Sequence, residues 1–259
     1  MAPARFDSGG LHGTRTHPVP RSGLRGFCQH APGGGLGVGA VQLIRSGFER
    51  FFVDGPVGKP TGGGEQQVVT VQQVGELALP TGRLVAADPF VLWPEDAEAF
   101  TTEVEPGTYP VSVSLVSWVD SDGFPDLRQG YRVAAAKVTV QDEAAYSWTP
   151  AVLPGELVPM QQPFGYDVKS STGAFFDLAA APALDRLAAD DEVGNCDLID
   201  ALGKVGGGRG PANVTDPESG LNVVAFSTGW GDGVYPTWVG RNTAGDPVAF
   251  VTDFFVINR

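Results

Sequence analysis

The side chains in this sequence best suited to chemistry are carboxylates: Asp88, Asp167, Asp177, Asp232 and Asp253, each beside a glycine, a proline or an aromatic residue. Aspartates brought together in this way serve as a general acid and base, or as oxygen ligands for Mg²⁺ or Ca²⁺. The alternatives are narrow. All three histidines, His12, His17 and His30, fall in the first forty residues, and none occurs from residue 41 onward. Ser-His-Asp catalysis, Cys-His catalysis and histidine-ligated zinc are therefore excluded from the later part of the chain. Of the two cysteines, Cys28 and Cys196, only Cys196 lies in that part, too few for a thiolate metal site. Asp120-Ser121-Asp122-Gly123 starts like a calcium loop but lacks the closing acid at the required spacing. There is no phosphate-binding P-loop, dinucleotide fingerprint or Gly-x-Ser-x-Gly elbow. The glycine run Gly206–Gly210 lacks the lysine and the strand–helix setting that phosphate binding needs, and reads as a loop.

Two places concentrate the remaining candidates. Ser227–Gly240 reads S-T-G-W-G-D-G-V-Y-P-T-W-V-G, with Asp232 between glycines. Asp-Gly is a common turn pair whose carboxylate bonds nearby backbone N–H groups, and the same arrangement also exposes a carboxylate to a ligand or cation. Trp230, Tyr235 and Trp238 either cover a β core or, with Asp232, line a ligand-binding surface. The second place is the last strand. At period two, Asp253 shares a face with Val251, Phe255 and Ile257, while Val248, Phe250, Phe254 and Val256 fill the other. A strand apolar on both faces is central, so Asp253 is expected to be buried, and a buried carboxylate needs a partner. Arg132 is the first candidate, read on one face with Ala134, Ala136, Val138 and Val140. Arg241 competes with it, and the opposite reading has Arg132 and Asp253 as strand-end residues that never meet. Asp232, Asp253 and Arg132 are thus the candidate catalytic residues. No metal site and no cofactor is assigned.

The elements that must position these residues are mostly strands. Short strands are expected at Val68–Val71 and Leu84–Ala87. Pro106-Gly107 marks a turn, after which Tyr109, Val111, Val113 and Leu115 alternate with Ser112 and Ser114 in a strand with one buried face. Asp120–Gln129 is a polar loop, and Tyr131–Val140 the next strand. The spacing of apolar residues over Val41–Val53 predicts a helix, followed by a linker over Pro56–Gly64. Asp177 is placed to cap a helical insertion, with helices near Ala183–Ala189 and Gly194–Gly203. Asn222–Ser227, Val234–Val239 and Pro247–Ile257 read as a C-terminal meander, its turns at Asp232-Gly233 and Ala244-Gly245-Asp246. The expected class is α+β and β-dominated, with antiparallel sheets, a C-terminal meander and a short helical insertion.

Composition sets the outer limits. The 259 residues include 36 glycines and 21 prolines, which suits a turn-rich fold, and the net charge is −13. Such acidity argues against nucleic acid or an anionic membrane as partner. No apolar run reaches the ~18 residues of a membrane span. Residues 1–40 carry Arg5, Arg15, Arg21 and Arg25 against the single acid Asp7, so the remainder holds more than all of the negative charge. This segment reads as a disordered leader or a mis-assigned start, with 41–259 as one globular domain. Cysteine usage points to the cytoplasm.

The series Gly82–Pro89 (GRLVAADP), Pro106–Val111 (PGTYPV), Arg132-Val133-Ala134, Ser171-Thr172-Gly173, Phe176-Asp177, Gly231–Pro236 (GDGVYP) and Asp253-Phe254 resembles a bacterial domain-of-unknown-function family, series four-two-four-one, over Leu77–Val256. The resemblance implies no activity. It does imply an acid ahead of the Ser171 turn, where this chain has Lys169 followed by Ser170-Ser171. Acidity and the lack of histidine favour a non-catalytic binding or interaction module, immunity-like or regulatory. The alternative is a carboxylate-centred hydrolase, divalent metal included, beside the Gly229–Gly233 hairpin.

Overall fold

The computed structural model describes residues 47–60, 64–126, 130–156, 164–189, 196–205 and 210–257. The expected leader lies outside them, as do residues 41–46 and residues 206–209 of the expected Gly206–Gly210 loop. In chain order the described strands are β1 (Gly55–Val57), β2 (Gln66–Leu79), β3 (Leu84–Ala87), β4 (Gly107–Val119), β5 (Tyr131–Thr139), β6 (Ser147–Pro150), β7 (Tyr166–Val168) and β8 (Thr172–Asp177). Two short helices follow, α1 (Leu184–Leu187) and α2 (Asp197–Gly203). The chain then continues through β9 (Ala212–Thr215), β10 (Asn222–Ser227), β11 (Gly233–Tyr235), β12 (Thr237–Arg241) and β13 (Pro247–Asp253).

A seven-stranded sheet runs β1-β2-β4-β5-β13-β12-β6, a four-stranded sheet runs β3-β8-β10-β9, and β11 pairs with β7. Every pairing is antiparallel. The fold is therefore α+β and β-dominated. Its middle layer explains the near-continuous apolar runs Thr172–Asp177 and Asn222–Ser227. Phe175, Val224 and Phe226 join the core shared with the large sheet, while Phe176, Val223 and Ala225 join the core under the helices. A strand covered on both sides has no polar face to display.

The helical insertion starts where expected. The Asp177 carboxylate accepts a hydrogen bond from the Ala179 N–H and caps a 3-10 segment, Leu178–Ala183, that leads into α1. The described part of the first predicted helix is a 3-10 turn, Phe48–Phe52.

Several local expectations are corrected. Part of the expected linker is β1, paired to β2. Ser112 and Ser114 are buried, so β4 is covered on both faces. Of the three C-terminal segments, β12 and β13 form a hairpin, but β10 pairs with β8 and β9, and the middle segment divides at Pro236. The turn at Asp232-Gly233 thus carries the chain from one sheet to another. The last strand ends at Asp253, because Phe255 adopts a left-handed backbone at φ 55°.

The correction that matters most for the site is a β-bulge. Ser114 stands opposite Ala135, and Leu115 opposite Val133, so Ala134 is the extra residue. Past the bulge the alternation reverses. Arg132 pairs with Val116 and so shares the face of Ala135 and Lys137, not that of Ala136 and Val138 as the uninterrupted period implied. Asp253 pairs with Ala135 on β13. Arg132 and Asp253 therefore occupy one face as diagonal neighbours, a separation that long side chains bridge.

Candidate functional site

The bulged strand and the chain end assemble a ledge of aromatic side chains. Gly229 sits at φ 57°, and a Cβ there would come within 2.6 Å of Val256 Cγ2, so only glycine lets this loop lie against the C-terminal segment. Arg132 then fixes the loop, donating from Nη1 to the Gly229 carbonyl at 3.0 Å. Its guanidinium carbon lies 4.3 Å from the centre of the Trp230 ring, a cation–π contact. Trp118 flanks the same indole, with ring centres 6.1 Å apart. Trp230 nevertheless remains 56% exposed.

Asp253 does the corresponding work on the other side. It is buried between β5 and β12, as its strand pattern predicts, and its Oδ1 accepts the Phe255 N–H at 2.9 Å. That bond accompanies the left-handed backbone that turns Phe254 into the core and Phe255 outward. Phe254 packs against Phe226 and Tyr235, while Phe255 is 56% exposed. The structure thus brings together Arg132, Asp253 and Trp230 from the sequence candidates, and adds Trp118, Gly229 and Phe255.

The other candidates separate. Tyr235 and Trp238 belong to the core: the Tyr235 hydroxyl donates to the Gly231 carbonyl, and Trp238 meets Phe164 edge-on. Burial raises the Tyr235 pKa above its ordinary value, and the nearby Asp232 charge adds to the shift, partly offset by the Thr228 hydrogen bond. Arg241 is not Asp253's competing partner. It donates to the Gly245 carbonyl and the Thr102 hydroxyl.

Asp232 does not close its own turn. Its Oδ1 accepts the N–H and hydroxyl of Ser171, at 3.0 and 2.9 Å, which holds Ser171 at φ 58°. One residue earlier, the buried Asp88 takes the Lys169 N–H, the Ser170 N–H, the Ser170 hydroxyl and the Phe90 N–H. Two motif acids therefore clamp a single turn between β7 and β8. Lys169 projects outward there and pairs with Asp167 at 2.9 Å. Asp177, fully buried, binds both the backbone and the hydroxyl of Thr81.

One further carboxylate escaped the sequence reading. Asp216 binds Arg186 through two bonds and Ser219 through two more. The Arg186 hydrogen bonds, followed by that of the Ser219 hydroxyl, hold its carboxyl far below the usual carboxylate range. Among the described residues no group of three His, Cys, Asp or Glu is placed to hold a metal ion. No described helix is long and apolar enough to cross a membrane.

Fold and site together define a strand-rich α+β domain of antiparallel sheets with an ordered aromatic ledge at one place on its surface. The chain belongs to the family described as Protein of unknown function (DUF4241), which matches residues 77–252. No curated protein and no solved structure matches it.

Proposed function

We propose that residues 41–259 form a non-catalytic, cytosolic interaction module whose contact surface is the ledge of Trp230 and Phe255. The observation that carries this reading is an exposed tryptophan held rigid from behind. Arg132 and Trp118 fix its indole, and Asp253 fixes the neighbouring Phe255. Pre-organised aromatics of this kind lose little conformational entropy on binding and are enriched among the residues that dominate interface energies. The net charge of −13 favours a partner whose contact face is basic.

The hydrolase alternative has less support. Asp88, Asp177 and Asp232 accept hydrogen bonds from structural donors, and Asp177 lies apart from the turn the other two clamp. A metal-dependent version lacks a ligand set among the described residues.

The test is an affinity capture from cells of the source organism, followed by calorimetry on the purified partner. Trp230→Ala should weaken binding by about 30-fold or more, the ~2 kcal/mol of an interface hot spot, with melting temperature unchanged within a few degrees. A partner that binds Trp230→Ala and Phe255→Ser as tightly as the parent would refute the ledge.

A further inference from the structure

A second site lies on the large sheet, away from the motif residues. A groove of about 260 Å³ runs beneath the Phe48–Phe52 turn and the loop that follows β5. Its lining includes Lys137, an unexpected residue in the middle strand of a seven-stranded sheet. The Lys137 stem stands between Ser112 on β4 and Val251 on β13. Its ammonium lies 4.5 Å from the centre of the Phe52 ring. Among the described residues it makes no hydrogen bond or salt bridge within 4 Å. Trp148 and Val251 make part of the groove apolar, while Glu49, Asp142 and Glu143 supply acid. Lys137 is partly buried, and a lysine stem so placed normally holds its ammonium in water or against a paired acid.

We propose that Lys137 is a reactive amine and that the groove takes a small, uncharged aldehyde or ketone, held as an imine. Three features select this class. The volume falls just below the ~300 Å³ at which drug-sized sites begin. The apolar lining suits a neutral organic body. The acids repel carboxylate and phosphate ligands, which would otherwise be the natural partners of a lysine.

In the reaction, the neutral Lys137 nitrogen adds to the carbonyl carbon and the π pair moves to oxygen. The carbon–oxygen bond then breaks, and both amine hydrogens leave with that oxygen as water, leaving a C=N bond. Only the uncharged amine can add. Burial lowers the Lys137 pKa from its ordinary value, while Asp142 and Glu49 oppose the shift. The charged groups facing it are Glu49 from the 3-10 turn and Asp142 and Glu143 from the loop. β13 and β6 contribute uncharged residues.

The chain has four lysines, Lys59, Lys137, Lys169 and Lys204, which makes the assignment direct. The full chain is incubated near neutral pH with pyridoxal, which lacks a phosphate, and sodium cyanoborohydride, whose hydride traps the imine as a stable amine. Labelled peptides are then quantified by mass spectrometry. Lys137 should label at least tenfold faster than each other lysine, and the preference should vanish in concentrated urea. Lys137→Arg should remove the fast label while keeping the melting temperature within a few degrees. Labelling of Lys137 at or below the rate of Lys59 and Lys204 in the folded protein would overturn the proposal. So would a preference that persists in urea, since it would then owe nothing to the groove.

Discussion

Replacing Asp88 separates a structural carboxylate from a chemical one. Four donors converge on this buried side chain: two backbone N–H groups on Oδ2, and the Phe90 N–H and the Ser170 hydroxyl on Oδ1. Hydrogen bonds to a charged acceptor contribute roughly 1.5–3 kcal/mol each, but they do not add, and the carboxylate's own desolvation is subtracted. Lys169 and Ser170 are not fully buried, so water recovers part of the loss. The net cost of Asp88→Ala is therefore roughly 3–4 kcal/mol, within the range for breaking a buried polar cluster. Asp88→Asn should recover little. Whichever way the amide is turned, its NH₂ faces at least one backbone N–H that also needs an acceptor. Urea unfolding at neutral pH, read by tryptophan fluorescence, gives both values. At about 2–4 °C per kcal/mol for a chain of this size, the alanine variant should melt roughly 10 °C lower. A carboxylate held in place for chemistry typically costs stability, so its removal would raise the melting point. A variant within about 1 kcal/mol of the parent, or above it, would refute the clamp.

The bulge geometry predicts that Arg132→Ala and Asp253→Ala are coupled, with an interaction energy of about 1–3 kcal/mol in a double-mutant cycle; additivity within ~0.5 kcal/mol would show that the two side chains act independently. Gly82 stands at φ 69° with its missing Cβ directed into the Val104 carbonyl oxygen, so Gly82→Ala should cost roughly 3 kcal/mol. Gly123, at φ 84° with nothing within 4 Å, should lose only about 1 kcal/mol on the same change, and equal losses at the two sites would contradict the overlap. Because the Asp216 carboxyl is depressed in the folded state, its contribution is fully present above the unfolded value of 3.8 and fades as pH falls from there through the folded value. The stability gap between parent and Asp216→Asn should therefore be widest near neutrality and narrower at pH 3, as read by urea unfolding; a gap that widens in acid would reverse the assignment. Phe255→Gly relieves a left-handed backbone worth ~1–2 kcal/mol against a glycine entropy cost of ~0.5–1 kcal/mol. Its melting temperature should stay within a few degrees while affinity for the captured partner falls, and a large loss of stability would make Phe255 a core residue instead.

Much of the scaffold was legible because alternation and caps are local signals. β3, β5 and β10 fall within a residue or so of their expected limits, Asp177 caps its segment, and Asp253 is buried on a central strand. The bulge was not legible. Val133-Ala134-Ala135-Ala136 is apolar throughout, so inserting one residue leaves no break in the pattern, yet it moves Arg132 to the other face. The partner of β10 was equally hidden. Asp232-Gly233 is a strong short-range hairpin signal, but the strands beside β10 come from 172–177 and 212–215, and nothing local encodes that choice. Trp230 and Trp238 occupy similar glycine-rich surroundings in sequence. Only the crossing between sheets exposes the first and buries the second.

The motif acids now have a different meaning. Asp88, Asp177 and Asp232 bind donors that hold turns and caps in place. What the fold maintains at a cost lies beside them. The left-handed non-glycine residues among those described are Ser171 and Phe255, and each such backbone costs of order 1–3 kcal/mol. Asp232 holds the first and Asp253 the second, and Phe255 packs beside Trp230 through the indole N–H directed at its carbonyl. If packing alone had shaped this corner, Phe255 would turn inward, Trp230 would be covered and a glycine would take the strained position. Instead, Arg132, Asp253 and Asp232 each help hold an exposed aromatic surface or the strained turn next to it. That pattern supports the proposal of an interaction surface at this corner.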